Sequence, residues 1–122
     1  MFYSECGGCT LFSRSAYGCR IAGPHELIPS NLAIVGEHPL GDRSDDWYLI
    51  ARGSSGEAIS MDLHPDRIGR CDDSFHDRHG VVGSCPVIAV SFLDLMTRLL
   101  NGKGGHWYWL GSDFESIGDA YD

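Results

Sequence analysis

Two stretches of the chain gather residue types that can do chemistry. The first is YSECGGCTLFSRSAYGC (3–19), which holds three of the five cysteines. Cys6 and Cys9 form a C-x-x-C, and Cys19 follows ten residues later. A structural zinc site needs four ligands, usually two such knuckles or one knuckle with a paired histidine. Cys19 and Cys71 have no knuckle partner, so the spacing supplies half a site. A redox pair would open a helix, whose N-terminus lowers the thiolate pKa. The two glycines of CGGC weaken a helix there. Cys6 and Cys9 therefore read as small apolar packers flanking a glycine turn, with free thiols and no bound zinc.

The second stretch is RCDDSFHDRHG (70–80). It places Cys71, Asp72, Asp73, His76, Asp77 and His79 within nine residues. Histidines and carboxylates at this density suit a divalent metal or general acid–base work. The chain has no HExxH, EF-hand loop or nucleophile elbow to organise them. The composition is that of a loop, which leaves two readings: a polar surface loop, or a metal site serving a hydrolase. GSSGE (53–57) lacks the lysine of a phosphate loop. Trp47, Trp107, Tyr108 and Trp109 could stack on a ligand, but so close to strands and a helix they read as core. No cofactor-binding pattern is present, and no catalytic constellation is assembled.

At 122 residues the chain is expected to be a single domain over 1–122, long enough to bury a core without disulfides. No apolar run nears the roughly 20 residues that span a bilayer, and no signal-peptide layout opens the chain, so a cytoplasmic location is expected. An odd cysteine count agrees. The formal charge of −8 repels nucleic acid and anionic lipid, so neither is an expected partner, whereas a basic protein is. Solubility alone also explains an acidic surface.

The elements that must position these residues follow from periodicity. YGCRIAGP (17–24) alternates Tyr17, Cys19 and Ile21 and reads as a strand. PHELIPSN (24–31) holds at most one helical turn, ended by Pro29. DDWYLIARG (45–53) and AISMDL (58–63) form a hairpin around Gly56. DRIGRCDD (66–73) reads as a third strand, with Ile68 and Cys71 on its apolar side, and CPVIAV (85–90) as a short buried strand. SFLDLMTRLLNG (91–102) is a helix capped by Ser91, with Asp94 three residues later and Gly102 as its stop. Phe92, Leu95, Met96, Leu99 and Leu100 make one apolar stripe on it. The class is α+β: an antiparallel or mixed sheet packed by helices.

With these segments in order, the chain resembles the SUKH superfamily, the bacterial immunity proteins related to the fungal Smi/Knr proteins. FYSECGGCTLF is similar to the stretch after that family's first helix. DDWYLIARGSSGEAISMDL resembles its central hairpin, GRCDDSFHD its next strand with an acidic-histidine cluster, and VIAVSFLDLMTRLL its closing helix. The resemblance covers roughly residues 2–110. Only a stump precedes Gly7–Gly8, so it implies a shortened N-terminal helix. It further implies a non-enzymatic protein that binds and neutralises a cognate toxin, often a basic nuclease, by occlusion. A regulatory interaction module of the same fold is the other use the resemblance allows.

Residues 42–77 hold nine acids and four arginines, a local net charge of −5. The expected partner-binding rim is built from Asp45 and Asp46 with the loop residues Asp72, Asp73, His76 and Asp77.

Overall fold

The computed structural model describes residues 8–12, 14, 17–23, 26–36, 43–53, 56–75, 79, 83, 85–102, 107–110 and 114–121. The expected N-terminal stump, Cys6, Gly7, His76 and Asp77 lie outside them. Seven strands form one sheet: β1 (Cys9–Leu11), β2 (Cys19–Ile21), β3 (Ile28–Pro29), β4 (Trp47–Arg52), β5 (Ala58–Asp62), β6 (Cys71–Asp73) and β7 (Val87–Ala89). Their order is β1-β2-β4-β5-β6-β7, and β3 pairs with the first half of β4 where β2 pairs with the second. Every described pairing is antiparallel. Two helices, α1 (Ser30–Ile34) and α2 (Phe92–Asn101), and two 3₁₀ turns, Arg43–Asp46 and Tyr108–Leu110, complete the described elements. The α+β class holds.

Gly8 precedes β1 with φ at 105°, and a Cβ there would stand 2.8 Å from the Gly23 backbone nitrogen. The glycine turn read from the sequence therefore has a steric cause. The β4–β5 hairpin turns at Gly56, also at positive φ. Ile50 is an extra residue on β4 between the Leu49–Ser60 and Ala51–Ile59 pairs. Such a bulge lets neighbouring side chains share a face. Ile50 and Ala51 accordingly both enter the main core. The extra Ile88 of β7 puts Ile88 and Ala89 there as well.

One face of the sheet is apolar. Leu95 and Leu99 of α2 pack on Ile21, Ile59, Cys71 and Ile88, and Trp107 and Trp109 close it. The two indoles stack with centroids 5.3 Å apart. Ser91 caps α2 by accepting from Asp94 N at 3.0 Å. The Asp94 carboxylate reaches back to Val90 N rather than to the cap residue's own nitrogen.

Three local expectations change. The helical turn near Pro29 begins after the proline instead of before it, because Ile28 and Pro29 are drawn into pairing with β4. Residues 66–69 form a turn and leave Ile68 65% exposed, so the strand starts only at Cys71. Leu100 is exposed, and Gly102 ends α2 at φ −74° without adopting the left-handed form.

Candidate functional site

Asp45 and Asp46 sit in the 3₁₀ turn that leads into β4, both half-buried. The Asp46 carbonyl accepts from Leu63 N at 2.9 Å, which ties this turn to the exit of β5. There the 63–69 turn folds back, with Asp62 N donating to Arg70 O and Gly69 N to Asp62 O. Arg67 lies across the junction. Its Nε is 2.7 Å from Asp62 Oδ2 and its Nη2 3.7 Å from Asp46 Oδ2. Asp62 is buried and also accepts from Trp47 Nε1 at 3.2 Å and from His64 N at 2.9 Å. That set satisfies a carboxylate that would be costly to bury unpaired. The Asp66 side chain, 86% exposed, extends the rim into solvent beside exposed Leu63 and Ile68.

The structure corrects the loop placement of Asp72 and Asp73. Both lie on β6 and each is 2% exposed, so neither side chain reaches a rim in this conformation. Strand alternation also sends Cys71 and Asp72 to opposite faces. Cys71 enters the apolar core, where burial pushes its thiol up to about 12 and nearby Asp72 and Asp94 add to the effect. Its Sγ donates to Gly69 O at 3.4 Å. His79 is buried, with Nε2 2.6 Å from Asn31 Oδ1, and Asn31 donates to Ser44 at 2.9 Å. The Cys71–His79 cluster is thus divided between the two faces and tied to α1. Among the described residues, no three His, Cys, Asp or Glu side chains are grouped to hold a metal ion. Cys9, Cys19, Cys71 and Cys85 are free thiols.

Asp72 ends a buried polar chain. Ser74 Oγ donates to Asp72 Oδ2 at 3.0 Å, Ser60 Oγ lies 2.6 Å from Ser74 Oγ, and Ser30 Oγ lies 2.7 Å from Ser60 Oγ. Burial drives the Asp72 carboxyl well above the ordinary carboxylate range; the Ser74 bond opposes this, while the charges of Asp73, Asp62 and Asp119 reinforce it. The chain fastens α1, β5 and β6 to one another. Sequence reading missed this polar layer. Its signal was Ser60 and Asp62 alternating with Ile59 and Met61, which marks a strand covered on both faces.

The fold and rim define an α+β domain with an acidic recognition edge. The chain is 49% identical over 121 residues to the immunity protein YokJ of Bacillus subtilis strain 168, covering 99% of this chain and 73% of that protein. It belongs to the family of that immunity protein. It is also 30% identical over 104 residues to a UDP-N-acetylmuramate–L-alanine ligase of Ligilactobacillus salivarius, a match to 78% of this chain but only 24% of the ligase. No protein-family model and no solved structure matches the chain. No helix among the described residues is long and apolar enough to cross a membrane.

Proposed function

We propose that the chain is a cytoplasmic immunity protein of the SUKH type that binds a cognate toxin and neutralises it by occlusion, without catalysis of its own. The observation that carries this is the identity to YokJ along almost the whole chain. The acidic surface supports a basic partner such as a nuclease, because opposite charge speeds encounter and rejects wrong partners. The proposed contact rim is Asp45 and Asp46, joined by Asp66 on the facing turn, with Leu63 and Ile68 as apolar contacts inside it. Exposed apolar residues enclosed by charge are the usual anatomy of a recognition patch. His76 and Asp77 remain proposed members of the rim.

The test is co-expression with the toxin encoded by the neighbouring gene. Growth should be rescued, and the two proteins should co-elute as a stoichiometric complex. Unrelieved killing with both proteins present and folded would overturn the reading.

A further inference from the structure

The far end of β4 carries positive charge in a chain that is otherwise acidic. Arg52 stands directly opposite Arg20 of β2. Opposed residues of an antiparallel pair share a face, and like charges there are unfavourable. Arg20 is already answered: its Nε and Nη2 bond Glu26 at 3.2 Å and 2.5 Å. Arg52 is exposed and has no hydrogen bond or ion pair among the described residues. Two adjoining concavities of about 230 Å³ each meet at Arg52 and Leu49. Arg20 and Glu26 wall the first, Ile34 and Glu57 the second. The floor is apolar, formed by buried Leu49, Ala51 and Ala58.

We propose that this groove receives a carboxylate-bearing side chain of the protein partner, with Arg52 as the cation that meets it; the proposal rests on the toxin-binding reading above. A guanidinium presents a planar fork that matches a carboxylate, as Arg20 already shows with Glu26. The apolar floor suits the methylene stem of an Asp or Glu side chain. Glu26 and Glu57 on the walls oppose a multiply charged anion such as phosphate, which favours a single negative charge. The acidic rim lies at the start of β4 and Arg52 at its end, roughly 17 Å away at about 3.3 Å per residue. One interface of ordinary size, about 800 Å² per partner, covers that span. Opposite signs at its two ends would fix the orientation of the bound toxin.

The test has two arms. In the first, glutarate is titrated into the ¹⁵N-labelled protein. The Arg52 Nε–H signal should shift saturably, and the Leu49 and Arg20 signals should stop responding in Arg52→Gln. An unresponsive Arg52 overturns the proposal whether or not toxin binds. In the second, Arg52→Gln and Arg52→Glu are compared with wild type for affinity to the neighbouring-gene toxin, with thermal midpoints confirming the fold. Arg52→Glu should bind on the order of tenfold or more weaker, and Arg52→Gln should fall between. Wild-type affinity in Arg52→Glu overturns this role and leaves the immunity reading standing. Failure of the wild-type protein itself to bind, with glutarate still bound, removes the immunity reading and the assignment of the carboxylate to a toxin.

Discussion

Ser74 Oγ donates to Asp72 Oδ2 at 3.0 Å, and that bond orients the whole hydroxyl chain. With the Ser74 proton committed, Ser74 accepts from Ser60, and Ser60 in turn accepts from Ser30. Three buried hydroxyls are thereby satisfied in series, ending on a carboxyl that burial pushes toward its neutral form. A folded-state pKa raised above the unfolded value of about 3.9 means that the native state holds the proton more tightly. The contribution of Asp72 to stability is thus fully present below that value and is lost as pH rises through the folded pKa. Asp72→Asn should remove this loss, so its denaturation midpoint should gain on wild type as pH rises from 4 to 8. Urea titrations across that range check it, and parallel profiles for the two proteins would contradict it.

The buried stripe of α2 predicts a steep contrast along one helix. Leu95 is fully buried, and Leu93, two residues earlier, is 76% exposed. Leu95→Ala should cost about 2–5 kcal/mol through lost contact and an unfilled cavity. Leu93→Ala should stay within about 0.5 kcal/mol. Arg98→Ala falls between them, because Arg98 bonds Asp94 at 3.0 Å and lies 5.7 Å from the Tyr108 ring centre. Equal destabilisation at positions 93 and 95 would mean that the helix is rotated.

The cysteines should separate by environment. Burial raises the thiol of Cys71 to about 12 and that of Cys19, with Cys9 nearby, to about 11. A thiol reacts as its thiolate, so both should resist alkylation in the native protein at neutral pH. Half-buried Cys9 should label first. After denaturation all five cysteines should titrate, with no zinc released. Rapid native labelling at Cys71, read by peptide mass, would show that the core opens more readily than its packing implies.

The sequence made β4, β5, α2 and the Ser91 cap legible because each is governed by local periodicity or local bonding. It misplaced what depends on distant pairing. Ile28 and Pro29 carry no strand signal of their own and become β3 only because Leu49 and Tyr48 offer an edge. Asp72 and Asp73 read as loop residues since acids are rarely buried, and β6 can bury Asp72 only because serines from three separate segments reach it. The bulge at Ile50 is likewise invisible in composition, yet it turns Arg52 onto the face it shares with Arg20. Asp45 and Asp46 were legible as rim residues by charge alone. Asp66 entered the site only through the fold, which brings its turn against theirs.

Those exposed acids carry the last prediction. Asp46 and Asp66 have side chains about half and almost wholly exposed, whereas Asp62 between them is buried and tied to Arg67 and Trp47. Neutralising the exposed members removes long-range attraction while leaving the buried set that holds the turns together. Asp45→Asn, Asp46→Asn and Asp66→Asn combined should therefore keep the wild-type thermal midpoint and slow association with a basic toxin. The effect should be largest at low ionic strength and fade as the screening length shrinks to about 10 Å near 0.1 M salt. Dissociation should change less, because exposed rim charges act mainly on encounter. Asp62→Asn behaves differently: it weakens the Arg67 and Trp47 contacts and should lower stability before any effect on association is seen. Stopped-flow association over a salt series, with the single Asp62→Asn variant as the stability control, separates the two roles. If the triple variant associates at the wild-type rate at every salt concentration, the rim does not face the toxin. The carboxylates near the C-terminus then become the next to test, beginning with Glu115, since Asp119 is committed to the backbone nitrogens of Gly83, Cys85 and Tyr121.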